Sequence, residues 1–311
     1  MIIMNKKAII YTAAAIALTI VIVITYGAYT STRLNERMSS VQTRIETVNF
    51  FIDDVEKDLA KGIYIAGFRA LLSFNQYITT NGTFLDNANQ RFKEAFLNGT
   101  IKNMSFTLMK DSTFTDWANK ISAQSDKVDI LFNYTINDVK LNQSDPWFVD
   151  IGVNITLDIR DKKNTSYWIR DKYLVTKISI INFEDPLYTV NSGGRVSSTI
   201  RKSVVSNFTT SGNITNLLIH VNNSYYIVHN DSPSFLMRLE GNLGNSGFGI
   251  ESLVNLDKFI AQGLPVKDRS IVDSRYFGTK ITAIYRISNM SEWFKIDEEH
   301  LDTYQVKGIV I

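Results

Sequence analysis

The sequence predicts an α+β protein: an amino-terminal transmembrane helix continuing into a long amphipathic stalk helix, then an extracellular head of helices and an antiparallel β-sheet. Three observations predict it. Residues 8–32 carry no charge, residues 34–59 hold an unbroken heptad of apolar positions, and after Lys127 the apolar spacing changes from helical to alternating.

Ala8 to Tyr29 is 22 residues long, about 33 Å as a helix, enough for a bilayer core of about 30 Å. A secretory signal has a shorter apolar core and ends in small residues at a cleavage site, so a retained anchor is expected here. Lys6 and Lys7 precede the run and the next charges are Arg33 and Glu36. The positive-inside rule then puts the amino end in the cytoplasm and the bulk of the chain outside the cell membrane. The lipid bilayer is thus the first expected partner.

Between Gly27 and Gly62 there is neither Gly nor Pro, so the helix is expected to continue beyond the membrane. Leu34, Met38, Val41, Ile45, Val48, Ile52, Val55 and Leu59 alternate by four and three residues, a coiled-coil seam. A lone helix cannot bury such a stripe. Either sister helices or the head of the same chain must cover it, and the sequence leaves the two open. Arg37, Arg44, Glu56 and Asp58 flank the seam as a solvated face able to bias a partner by charge, whereas helical spacing scatters Asp53, Asp54, Glu56 and Asp58 too widely for a metal site.

The head divides by pattern. Ala60 to Ile78 is apolar and helical, with Gly62 and Gly67 as points of close packing or bending. Helices are expected over residues 83–97, stopped by Asn98-Gly99, and over 112–123. Runs such as VDILFNYTI, FVDIGVNITLDI and KYLVTKISII, separated by polar turns, predict an antiparallel meander with one wet face. Beyond it the spacing predicts a hairpin of LLIHV and YYIVH, helices over 234–239, 250–262 and 291–304, and strands at ITAIYRI and GIVI. The expected organisation is a basic leader (1–8), membrane helix (9–32), stalk (33–80), helical head (81–126), meander (127–200) and a mixed carboxy-terminal part (201–311).

Twelve Asn-x-Ser/Thr sequons stand at Asn81, Asn98, Asn103, Asn133, Asn142, Asn154, Asn164, Asn207, Asn213, Asn222, Asn230 and Asn289. With 27 Asn and 52 Ser plus Thr in 311 residues, chance predicts about 4.5. None precedes residue 81, so they avoid the membrane run and the helix after it. All are expected to face solvent as N-glycosylation candidates on the outer side.

Lys7-Ala8-Ile9-Ile10, a basic and a small residue ahead of the apolar run, resembles the class III signal of archaeal type IV pilins and related surface proteins. That resemblance covers roughly the first 60 residues. It implies processing at Lys7, Ala8 and Ile9 by a prepilin peptidase, cleavage falling between Ala8 and Ile9. It also implies a helix with an apolar first half and an amphipathic second half, ahead of a β-rich head, and packing of the apolar halves with sister chains or pilus components. Ala13 stands at the fifth mature position, where bacterial pilins carry Glu.

Chemistry has little to build on. Zero cysteines exclude disulfides and thiolate chemistry, and a net charge of +2 gives no electrostatic footprint for nucleic acid. GNLGNSGFG lacks the spacing of a phosphate loop and reads as an exposed loop. His220 and His229 fall on the two arms of the expected hairpin without a third ligand in view. The run Asp297-Glu298-Glu299-His300 reads as helix surface. Trp147, Phe148, Tyr167 and Trp168 read as core packing rather than as a binding strip. No catalytic residue, cofactor or metal ligand is expected, and no enzyme. The expected function is a pilin-like structural or assembly role at the cell surface, with possible homo-oligomers through the amino-terminal helix. The second reading is an anchored ectodomain that binds a surface partner or glycan.

Overall fold

One helix, α1 (Lys6–Asn81), carries the first quarter of the chain without interruption, about 114 Å at 1.5 Å per residue. The computed structural model describes residues 6–311, with side chains from Ile9 onward. Residues 1–5 of the expected leader lie outside the described residues. Of the expected processing residues, Lys7 and Ala8 are described only as backbone in the first turn of α1, and Ile9 is exposed.

The expected membrane helix, stalk and Ala60–Ile78 helix are all parts of α1. Neither Gly62 nor Gly67 interrupts it. Each lets the backbone approach its neighbour: a Cβ at Gly62 would stand 2.9 Å from the Trp117 ring, and one at Gly67 would stand 2.2 Å from Ile151 Cδ1. The second half of α1 is therefore laid directly on the sheet.

The next elements are α2 (Ala88–Asn98), the short hairpin of β1 (Thr100–Ile101) and β2 (Met104–Ser105), and α3 (Phe114–Lys127). Both helices start later than expected, each at a side-chain cap. Asn87 accepts from Gln90 N to open α2, which ends at Gly99 in the left-handed conformation. Thr113 and Asp116 form a capping box that opens α3.

The antiparallel meander is present as β3 (Ile130–Asp145), β4 (Phe148–Asp161) and β5 (Tyr167–Ser179), with β4 central. Alternate residues of β4, from Val149 to Ile159, are buried beneath α1. The seam residues Val48, Ile52, Val55 and Leu59 and the deeper Ile63, Phe74 and Ile78 complete this first core.

From α4 (Pro186–Asn191) onward short elements build a second core. They are α5 (Thr215–Asn222), β6 (Tyr226–Val228), α6 (Phe235–Leu239), β7 (Ile250–Ser252), α7 (Leu256–Ala261), α8 (Asp273–Phe277), β8 (Ile284–Arg286) and β9 (Lys295–Asp297). Several expectations fail here. LLIHV is the helix α5, not a strand, and YYIVH gives β6, whose partner is β7 rather than its sequence neighbour. The expected helix over 250–262 divides: Ile250–Ser252 pairs as β7, and Asn255 caps a separate α7. In place of the helix over 291–304, Lys295–Asp297 pairs with β8 and a single 3₁₀ turn follows at Glu298–His300. GIVI likewise forms a 3₁₀ turn, at Lys307–Ile309, with one bridge between Val310 and Ile287. The helix at 234–239 is present as α6, capped by Ser234.

A buried ionic centre ties this region together. Arg238, fully buried, donates to Asp185 Oδ2 at 2.6 Å and to Asp273 Oδ2 and Oδ1 at 3.0 and 3.2 Å. Tyr226 donates to Asp185 at 2.9 Å, and Ser252 donates to Asp273 through both its backbone N–H and its hydroxyl. Burial and the neighbouring carboxylates hold the Tyr226 phenol well above its ordinary range.

Candidate functional site

Two features stand out: the free half of α1 and a buried histidine–carboxylate cluster. Between Ile9 and Thr43 every residue except Thr30 is exposed. The apolar window within this stretch has a mean hydropathy of 2.3 and none of it is buried. It is long and apolar enough to cross a membrane. Its hydroxyls are turned back onto the helix: Thr12 donates to Ile9 O, Thr19 to Ala15 O, Thr25 to Val21 O, Thr30 to Tyr26 O and Thr32 to Ala28 O. A polar group facing hydrocarbon needs such internal satisfaction. Tyr11 lies near one end of the apolar run and Tyr26 and Tyr29 near the other, with Arg33 over the Tyr29 ring at 5.5 Å.

The seam is divided. Leu34, Met38, Val41 and Ile45 are 60, 69, 42 and 39% exposed, whereas Val48, Ile52, Val55 and Leu59 are buried by the chain's own sheet and helices. The first hydrogen bonds from α1 to the head come at Arg44, whose guanidinium donates to Asp161 at 2.5 Å and to Asp129 O at 2.6 Å. Burial would raise the Asp161 carboxyl, but Thr165 and Arg44 hold it down at about 2. Glu56 pairs with Lys172 at 2.8 Å and Asp58 accepts from the Trp117 indole at 2.9 Å. These three flanking charges therefore serve contacts within the chain, not a solvated face; Arg37, Asp53 and Asp54 stay exposed.

Eleven of the twelve sequon asparagines are exposed; Asn154, on the outer face of β4, is half-buried. Asn103 and Asn164 sit at turn tips with positive φ, and Asn98 ends α2. Of the aromatic residues at the strand ends, Trp147, Phe148 and Trp168 are half-buried and Tyr167 is 76% exposed.

The cluster joins residues that the sequence keeps apart. Glu251 on β7 lies between His229, just after β6, and His300, in the 3₁₀ turn after β9. His229 Nδ1 and His300 Nε2 each stand 3.2 Å from Glu251 Oε2. Glu251 and His300 are completely buried, and the His229 side chain is 20% exposed. Although close to the carboxylate, His229 Nδ1 and His300 Nε2 lack hydrogen-bond geometry to any partner. Their outer nitrogens are engaged: His300 Nδ1 with Asp297 Oδ1 at 2.6 Å, and His229 Nε2 with Thr303 Oγ1 at 3.2 Å. Glu251 also accepts from Ser232 at 2.5 Å and from Tyr304 at 3.0 Å.

Electrostatics follow from this packing. Burial would pull His300 down, but the Asp297 and Glu251 carboxylates outweigh it and push it up to about 9. Burial would raise Glu251, yet the two imidazoles hold it well below the carboxylate range. The carboxylate of Glu251 raises His229. His220, by contrast, lies on α5 among Phe208, Tyr225 and Tyr304, and burial lowers it to about 4.

His220 and His229 do not share a hairpin, because His220 lies on α5; His229 meets His300 instead, and the reading of Asp297 and His300 as helix surface is overturned because both are buried. The glycine-rich run does form a loop, but its last member is not free. A Cβ on Gly249 would meet the carbonyl oxygens of Ser232 and His229 at 2.1 and 2.3 Å, so a glycine is needed to hold the His229 loop against β7.

No protein-family model, curated protein or solved structure matches this chain.

Proposed function

We propose that the protein is a single-pass membrane-anchored protein with a pilin-like structural or assembly role at the cell surface. In this reading Ile9 to Tyr29 lies in the bilayer or in the core of an assembly, the amino end is cytoplasmic and the head is extracellular. One observation carries it: a single unbroken helix has its second half built into the head's core, while residues 9–32 ahead of it are largely apolar, charge-free and, apart from Thr30, exposed. Such a helix cannot stay in water by itself, because nothing in the head shields its apolar side chains. The internally bonded threonines and the flanking tyrosines fit lipid on all sides. The uncovered seam residues Leu34, Met38, Val41 and Ile45 would then pack against sister helices or other filament components, and the leader would be removed by a prepilin peptidase. The solvent-facing sequons fit a glycosylated outer surface.

The seam supplies the experiment. In detergent, Ile45→Asp should abolish self-association of the full chain and leave head unfolding unchanged, while Ile52→Asp should destabilise the head, because it puts a carboxylate into a packed core. A strictly monomeric wild-type chain, or association unaffected by Ile45→Asp, contradicts an assembly role.

The second reading, an anchored ectodomain binding a partner or glycan, has its own observation. The outer face of β5 exposes Tyr167, Ile169, Tyr173 and Val175, at 76, 52, 66 and 53%. Tyr173 and Val175 border an open groove of about 760 Å³ that also contains Asn89, Asn142 and Asp150. Aromatic rings beside polar side chains suit a sugar ring.

A further inference from the structure

We infer that His229, His300 and Glu251 form a binding site for one divalent transition-metal ion, for which the donor set favours zinc. Zinc held by nitrogen and oxygen at about 2.0–2.1 Å in a tetrahedron keeps its ligand atoms about 3.3 Å apart. His229 Nδ1 and His300 Nε2 both lie 3.2 Å from Glu251 Oε2, and all three atoms fall within 4.8 Å of one another.

A direct ion pair fits less well. Charge-assisted hydrogen bonds are usually about 2.7–2.9 Å and well aligned. Here the two nitrogens are farther away and neither has hydrogen-bond geometry to any partner, although His300 Nε2 belongs to a fully buried side chain. Ring nitrogens that approach a carboxylate oxygen off-axis are what a common central ion produces.

The surroundings match as well. Imidazoles that bind metal donate their other N–H to a carboxylate or a hydroxyl, which fixes tautomer and orientation. Asp297 does this for His300 at 2.6 Å, and Thr303 stands 3.2 Å from His229 Nε2. Asp297 is itself held by the Ser270 hydroxyl at 2.6 Å. Tyr304 donates to Glu251 Oε1, and Ser232 donates to Oε2, the oxygen nearest both imidazoles, which keeps a further lone pair for the ion. His229, 20% exposed, is the member nearest solvent, so the ion would enter from its side. In a chain with no cysteine, the site would clamp three distant segments of the second core.

The test uses the full chain in detergent, stripped with chelator and titrated with zinc alone by calorimetry, and separately with cobalt by visible absorption. One equivalent of zinc should bind, cobalt should give the intense bands of low coordination number, and zinc should raise the unfolding temperature. His229→Gln, at the rim, and Glu251→Gln should each remove this binding. Asp297→Asn should weaken it 10- to 100-fold as a positioning residue. Failure of the wild-type chain to bind zinc stoichiometrically overturns the site, as does undiminished binding by folded His229→Gln. X-ray absorption of the zinc-loaded wild-type chain must show two imidazoles. A spectrum without them overturns the site whether or not the buried variants fold.

Discussion

Replacing Arg238 by Met should cost the head about 3–5 kcal/mol, as expected when one partner of a buried ionic group is removed. The guanidinium is fully buried and supplies bonds to two carboxylates, Asp185 and Asp273, which are also fully buried, and to the carbonyl oxygens of Pro233 and Ile250. Without it, two acids face each other in the second core with only neutral donors left. Asp273 is already shifted upward, by burial and by the nearby Asp185. Arg238→Lys should rescue little, because one ammonium cannot reproduce a planar fork that reaches both acids. Adding Asp185→Asn to Arg238→Met should recover part of the loss, since it removes one stranded charge and keeps the oxygen that accepts from Leu187 N. Denaturant unfolding of the three variants measures this. A loss for Arg238→Met below about 1 kcal/mol would mean that the acids reach water and that the centre does not organise the fold.

The second large effect belongs to α1. Phe74→Ala should destabilise the head by about 3–5 kcal/mol. Its ring is fully buried and meets Phe92 edge-on at 6.4 Å, in a run of aromatic contacts that continues through Phe96 and Phe114. Ile20→Ala, on the same helix, should leave head unfolding unchanged, because Ile20 is 52% exposed and packs on no head residue among those buried. Tryptophan fluorescence during unfolding reads both, with Trp117 packed against the first core. Equal effects from the two variants would deny that α1 divides into a core half and a free half.

That division was only partly legible in the sequence. The seam from Leu34 to Leu59 is continuous by period, and periodicity cannot say what covers a stripe. The cover comes from the head's own sheet and helices, so it begins at Val48 with no local sign. Elements long enough to repeat their period were readable: α1, and the three strands whose alternation runs for thirteen residues or more. The second core was not, because its strands have three residues and its helices five to eight. Over such lengths LLIHV fits strand and helix equally, and the choice fell to tertiary contacts such as the packing of Leu217 and Val221. The histidine–carboxylate cluster was hidden for the same reason. Its members come from three separated segments, and the only local signal was the His300 at the end of an acidic run. Only Asp297 and His300, at its two ends, are buried, while Glu298 and Glu299 between them are exposed.

The central claim is that the free half of α1 lies in lipid while the head stands outside. The lack of cysteine makes it directly measurable, because any introduced thiol is the only one. Cells that express the full chain as Asn164→Cys or Ile20→Cys would be treated with a membrane-impermeant maleimide. Labelling of Cys at 164 is expected on intact cells, and labelling at 20 only after the membrane is dissolved and the chain denatured. Protection of position 164 until lysis, or ready labelling of position 20 in intact cells, would contradict it.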